Sequence, residues 1–182
     1  GEPYLREAVA SILNQKYPDF QFLILDNAST DGSREVVRAF KDPRIKLVEL
    51  PEDIGQVGAL NRGLEMIDPS LIARMDADDI SLPNRLEEQA RLLRENPGVV
   101  IVGSAYYLID RAGAQVTIGR YPTTDTGIRW QMLFHNSFPH SSVMVRTETL
   151  QRQGLSYDQE FRPAEDYDLW SRLLGHGLGM NV

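Results

Sequence analysis

An α/β fold with a mixed sheet is what this sequence predicts, and three observations carry the prediction. Helical and extended patterns alternate through the first half of the chain, the order that builds a Rossmann-like parallel sheet with helices on both faces. Two short apolar runs, residues 20–25 and 71–75, lead straight into acidic residues. After Asn96-Pro97-Gly98 the spacing shortens to neighbouring strands and a hairpin, so the second half of the sheet should include antiparallel pairs.

The elements follow in order. Leu5, Ala8, Val9, Ile12 and Leu13 recur at helical spacing, and the pattern stops at Tyr17-Pro18. Residues 20–25 (FQFLIL) have the continuous apolar texture of a strand buried on both faces. They end in the polar loop 26–33 (DNASTDGS), rich in residues that cap helix N-termini. A short helix over 33–40 comes next, and then Ile45, Leu47 and Glu49 alternate as a strand closed by Pro51. The spacing predicts a helix over 56–66 and a strand over 71–75 that runs into Asp76-Ala77-Asp78-Asp79. Pro83 suits the first turn of a helix reaching Arg94. Strands are expected at 99–103, 106–110 and 115–118, the last two joined through 111–113. A helix over 124–133, a strand over 142–145 and a final helix over 165–174 complete the reading. There is no internal repeat, low-complexity tract or linker, so residues 1–182 are read as one domain.

Composition narrows the function. Twenty-six acidic residues against nineteen basic ones leave a net charge of −7. Nucleic-acid binding needs basic surface to neutralise phosphates, and this balance excludes it. The absence of cysteine removes disulfides, thiolate metal sites and cysteine nucleophiles. No apolar run approaches the roughly 20 residues of a membrane span. The first residues carry neither the basic end nor the apolar core of a signal peptide.

In open α/β sheets, ligands bind beyond the carboxyl ends of the strands, and here two strands end at Asp26 and at Asp76. Asp76, Asp78 and Asp79 crowd four positions. In an extended backbone Asp76 and Asp78 would point the same way and Asp79 the other. Two carboxylates about 5 Å apart repel by ~3 kcal/mol at an effective dielectric of about 20, which a bound cation or a proton relieves. Hard oxygen ligands without cysteine favour Mg²⁺ or Mn²⁺ with phosphate completing the shell. The alternative is a solvated acidic turn capping the next helix. Glu165, Asp166 and Asp168 form a second acidic group at a predicted helix start, where carboxylates also serve the helix dipole. Its functional reading is a general base. The 26–33 loop is either a cap or a base pocket in which Asp26 or Asn27 accepts from a nucleobase N–H. His140 and Trp170 read as packed residues.

Taken in order, LILDNASTDGS, ALNRGL, ARMDADDISLPNRLEEQ, PHSSVMVR and AEDYDLWSRL resemble the successive motifs of glycosyltransferase family 2 across nearly the whole chain. The resemblance implies a GT-A fold and transfer of a sugar from a nucleotide diphosphate donor with inversion. It implies that Asp78 ligates Mn²⁺ or Mg²⁺ and that Asp76 lies near the donor ribose. Asp166 matches the general base of the family's Glu-Asp pair, with Glu165 beside it as a supporting or acceptor-binding group. Many members carry two aspartates in the base loop. Asn27 replaces the second here, so UDP- and dTDP-sugars both remain open as donors.

By the same resemblance, residues 1–103 form the nucleotide-sugar half and 104–182 the acceptor half. Members usually begin with a further strand, central in the sheet, and end with elements that shape the acceptor site. This sequence starts after that strand and stops soon after the base helix, so it reads as the middle of a catalytic domain. Strands 20–25 and 71–75 would then expose pairing edges, which a second copy could cover as a homodimer. Family analogy implies a glycan or glycolipid acceptor in bacterial cell-surface polysaccharide synthesis, with a cytoplasmic location and peripheral contact with the inner face of the membrane. Two alternatives stay open: a nucleotidyltransferase using the same acidic pair, and a catalytically silent sugar- or metal-binding domain. A haloacid-dehalogenase-type phosphatase is set aside, because its acidic motif lies on the first strand.

Overall fold

The computed structural model describes residues 2–182. The chain divides into two compact units that are discontinuous in sequence. One takes in the residues up to Asp68 together with Asp76–Glu87, and the other takes in Pro69–Met75 and Glu88–Val182. The strand at Val99–Gly103 belongs to the second unit.

In the first unit, α1 (Glu2–Leu13) buries Leu5, Ala8, Val9 and Ile12, the face its spacing sets out. The parallel strands β1 (Phe22–Asp26) and β2 (Ile45–Glu49) run in register from Phe22 opposite Ile45 to Asp26 opposite Glu49. They flank α2 (Ser33–Arg38), whose Val37 joins Leu5 and Val9 in a cluster edged by Phe22, Ile24, Ile45 and Leu47. α3 (Gly55–Glu65) packs on β1 through Gly63, where a Cβ would sit 2.8 Å from Leu25 Cδ1. A side chain there would force the Leu25 methyl to shift. Gln15, 6% exposed, closes the unit. Its amide donates to Ser81 Oγ and the Leu82 carbonyl, while its oxygen accepts the Leu86 N–H.

The second unit is built on a four-stranded mixed sheet. Its strands are β3 (Leu71–Ala73), β4 (Val99–Gly103), β7 (Met144–Arg146) and β8 (Leu178–Asn181), in the order β3-β7-β4-β8. β7 is antiparallel to both β3 and β4, and β4 is parallel to β8. Every residue of β4 is buried, as expected of its unbroken apolar sequence. α4 (Arg85–Glu95), whose first turn belongs to the first unit, inserts Ala90 and Leu93. α5 (Asp125–Met132) packs on β8, α6 (Thr147–Gln153) follows β7, and α7 (Glu165–Leu174) packs on β4 through its apolar face Leu169, Trp170 and Leu173. The hairpin β5 (Tyr106–Ile109) and β6 (Gln115–Gly119) forms its own exposed two-stranded sheet. It turns at Gly113 with φ 79°, and Asp110 Oδ1 accepts the N–H groups of Ala112 and Ala114.

Among the described residues, β1 and β2 pair only with each other and β3 pairs only with β7. Unpaired edges on the strands around 20–25 and 71–75 are what the sequence predicts. One expectation changes. The backbone after β3 does not stay extended through the acidic motif but turns at Ala77-Asp78, so alternation does not govern where those carboxylates point. Short polar residues in sequence favour such a turn.

Candidate functional site

The first cluster lies where β1 ends. Asp26, the last residue of the strand, is 7% exposed. Arg34, in the first turn of α2, donates from Nε to Asp26 Oδ2 at 2.5 Å, and the Ser29 N–H donates to Oδ1 at 3.3 Å. Burial pushes the Asp26 carboxyl up, but the bonds from Ser29 and Arg34 and the guanidinium charge outweigh it and hold the group below the usual carboxylate range. It is therefore an anion at neutral pH.

Asn27 follows with its amide fixed at both ends. Its Oδ1 accepts the Ile54 N–H at 3.1 Å, and its Nδ2 donates to Asp53 Oδ1 at 2.5 Å. Asp53 Oδ1 also takes the Gly55 N–H that opens α3. The loop after β1 is thus tied to the start of α3. Ala28 between them has φ 59°, a left-handed conformation that costs a side-chain-bearing residue roughly 1–2 kcal/mol. Strain of this kind collects where a loop must hold a particular shape.

The acidic motif after β3 belongs to the same unit. Asp76 is half-buried, whereas Asp78 and Asp79 are exposed. Among the described residues no group of three or more His, Asp or Glu side chains converges to hold a metal ion. One or two carboxylates facing solvent, with no imidazole or thiolate, suit a hard cation that takes the rest of its shell from substrate phosphates and water. The residues fit that group and do not form a cage of their own.

The second cluster is at the start of α7. Glu165 is 6% exposed, and its Oε2 has no hydrogen-bond partner among the described residues. Asp166 is half-buried. Its Oδ2 accepts from Asn136 Nδ2 at 2.8 Å and its Oδ1 from the Tyr167 N–H at 2.7 Å. Burial pushes the Asp166 carboxyl up and the neighbouring Glu165 adds to this, while the Tyr167 N–H and the Arg74 charge pull the other way. The net shift is upward. Tyr121, its ring centroid 6.1 Å from that of Tyr106, also has its phenol pushed up, first by burial, then by Tyr106 and Asp166.

The structure thus brings Asp26 and Asn27 into one loop and sets Glu165 and Asp166 side by side on α7. Arg34, Asp53, Asn136 and Tyr121 were missed from the sequence. An arginine eight residues past a strand end carries no signal of its own, and Asn136 is marked only as a polar residue among Phe134, Phe138 and Pro139. His140 and Trp170 are packed, as expected. Trp170 is 1% exposed, and His140 Nε2 lies 3.0 Å from the Tyr157 hydroxyl, with the His140 and Tyr157 rings both set edgewise to the Trp170 indole.

Comparison with known proteins gives a consistent result. The model of Glycosyl transferase family 2 matches residues 1–156. An uncharacterized glycosyltransferase of Methanocaldococcus jannaschii is 31% identical over all of the chain, which spans 63% of that protein. The O-antigen biosynthesis glycosyltransferase WbnJ of Escherichia coli is 35% identical over 95% of the chain, covering 67% of its own length. The chain therefore spans about two-thirds of the length of these relatives. Among solved structures, S. aureus TarS in complex with UDP matches the whole chain at TM-score 0.81 and 19% identity, over 54% of its own length. A mannosyltransferase from Pyrobaculum calidifontis in complex with GDP-Man and Mn²⁺ matches it at TM-score 0.75 and 21% identity, over 51%. These two likenesses establish the GT-A fold. With the family model covering most of the sequence, the chain belongs to glycosyl transferase family 2.

Proposed function

We propose that this chain carries out inverting transfer of a sugar from a nucleotide diphosphate donor, a UDP- or dTDP-sugar, to a hydroxyl of a glycan or glycolipid acceptor. The observation that carries the reading is Asp166: a half-buried carboxylate, hydrogen-bonded on both oxygens, whose proton affinity is raised above that of an ordinary aspartate. A general base works best when its pKa moves toward the working pH.

In this mechanism the acceptor oxygen attacks the anomeric carbon as Asp166 takes its proton, the bond from that carbon to the diphosphate oxygen breaks, and the nucleoside diphosphate leaves from the opposite face. Glu165, buried beside the base, raises its basicity by its charge. Asp26 and Asn27 shape the nucleobase pocket, and Asp76 binds the donor ribose. Asp78, an exposed carboxylate, would hold Mn²⁺ or Mg²⁺. Bound there, the ion would offset charge building on the leaving group.

Support for the donor class comes from the structural neighbours, one in complex with UDP and one with GDP-Man and Mn²⁺. Support for a cell-surface glycan as product comes from the relative named for O-antigen biosynthesis. No helix among the described residues is long and apolar enough to cross a membrane, and we place the reaction at the cytoplasmic face of one.

The test is release of UDP from UDP-hexoses and of dTDP from dTDP-hexoses, measured for the chain and for Asp166→Asn. The substitution should abolish release and leave nucleotide affinity nearly intact, because the base acts only in the chemical step. Equal loss of binding would move Asp166 into the nucleotide site. Binding without any release by the unaltered chain would favour a silent binding domain.

A further inference from the structure

The segment between α5 and β7 brings one polar side chain to Asp166, and its amide can face only one way. Asn136 Oδ1 accepts the Phe138 N–H at 3.0 Å, which leaves Nδ2 to donate to Asp166 Oδ2 at 2.8 Å. A flipped amide would place an N–H against the Phe138 N–H and an oxygen against the carboxylate, losing both bonds.

The backbone carrying Asn136 is held on each side. Ser137 is fully buried. Its hydroxyl donates to the Ile128 carbonyl, and its own carbonyl accepts from Nδ2 of Asn181, itself 4% exposed. The same Asn181 amide donates to the Pro122 carbonyl. On the other side, the Tyr167 hydroxyl donates to the Met132 carbonyl at the end of α5. Phe138 is 1% exposed. A side chain rooted in so constrained a segment presents its N–H in a fixed direction, the arrangement that orients a reacting group without reorganisation.

We propose that Asn136 is a positioning residue for the Asp166 carboxylate: its amide, oriented by the Phe138 N–H, fixes the rotation of the carboxylate and keeps it ionised beside Glu165. The inference rests on the reading of Asp166 as the general base. The groups that act on this carboxylate are Glu165 and the Tyr167 N–H from α7, Arg74 following β3, Tyr121 from the segment before α5, and Asn136. Glu165 opposes its ionisation, and Arg74 and the Tyr167 N–H favour it. Asn136 supplies a neutral donor aimed at one oxygen, favouring the charged form without cancelling its charge. A lysine or arginine in its place would hold the carboxylate ionised but leave it a weaker base.

The test reads the Asp166 carboxyl by ¹³C NMR titration of the full 182-residue chain, with its signal identified by its loss in Asp166→Asn. Asn136→Ala removes the donor and should move the midpoint upward by about one pH unit, the worth of one hydrogen bond to a charged group. Asn136→Asp keeps an acceptor for the Phe138 N–H but sets a second carboxylate against the first, and should move it further. Asn136→Ser, which restores a shorter donor, should fall between Asn136→Ala and the unaltered chain. A midpoint unchanged in those variants that fold would overturn the proposal. The base reading fails separately: if Asp166→Asn retains nucleotide release while the NMR shifts appear, Asn136 positions a carboxylate that is not the base.

Discussion

Arg34 Nε donates to Asp26 Oδ2 across 2.5 Å and so ties the last residue of β1 to the first turn of α2. The aspartate side chain is 6% exposed and the arginine 31%, so solvent screens the pair on one side only. Among the described residues, removing the partner leaves a nearly buried anion with only Ser29 hydrogen-bonded to it. Arg34→Ala should therefore destabilise the chain at pH 7, by less than loss of a partner from a fully buried pair because the guanidinium is partly solvated. The pH dependence has a definite sign. The folded-state pKa of Asp26 lies below its unfolded value, so its contribution is present above the unfolded pKa, near 3.9, and is lost as pH falls through the folded one. Urea unfolding of both chains should show the largest gap at neutral pH and convergence in strong acid.

Asp166 has the opposite sign. Its pKa is raised in the folded chain, so any stability it contributes is present below the unfolded pKa and lost as pH rises through the folded value. At neutral pH the ionised group is a liability that the fold tolerates. Asp166→Asn should raise the melting temperature at pH 7 while abolishing transfer, and the gain should vanish at acid pH. A lower melting temperature at pH 7 would show that the carboxylate is structural.

Ala28 sits at φ 59° between Asn27 and Ser29. Glycine takes that conformation at no steric cost, so Ala28→Gly should stabilise the chain by about 1 kcal/mol despite a more flexible unfolded state. If the strained loop holds the nucleobase pocket in shape, the same variant should bind nucleotide more weakly. Thermal unfolding with and without UDP separates the two effects.

Asp78 is exposed, next to the half-buried Asp76. Asp78→Ala should leave the stability of the free chain unchanged to within about 0.5 kcal/mol, as for other surface changes. It should remove the dependence of nucleotide affinity on Mn²⁺. Should affinity for UDP still rise with Mn²⁺, the metal ligand lies elsewhere.

Much of the fold could be read from periodicity because each element announces itself within its own residues. Ile45–Glu49, Val99–Gly103 and Glu165–Leu174 appear with the bounds their patterns give. Two elements were not legible. α6 (Thr147–Gln153) has only Thr147 and Leu150 buried, too few to make a stripe, and β8 (Leu178–Asn181) contains Gly179 and a polar end, so its strand character comes from pairing with β4. The site divides along the same line. Asp26, Asp76, Asp78 and Asp166 stand out because carboxylates following apolar runs and at helix starts form a pattern along the chain. Arg34 and Asn136 act through contacts 8 and 30 residues away, and only folding reveals those. The turn at Ala77-Asp78 was hidden for a related reason: a run of polar residues after a strand is compatible with extended and turned backbone alike.

The central claim, a nucleotide diphosphate site completed by a divalent cation, is tested most directly by calorimetric titration of UDP and dTDP into the 182-residue chain with and without Mn²⁺. The account predicts binding of at least one nucleotide, tighter by tenfold or so when Mn²⁺ is present, the equivalent of about 1.4 kcal/mol. A folded chain that binds neither nucleotide, with or without the metal, would contradict it.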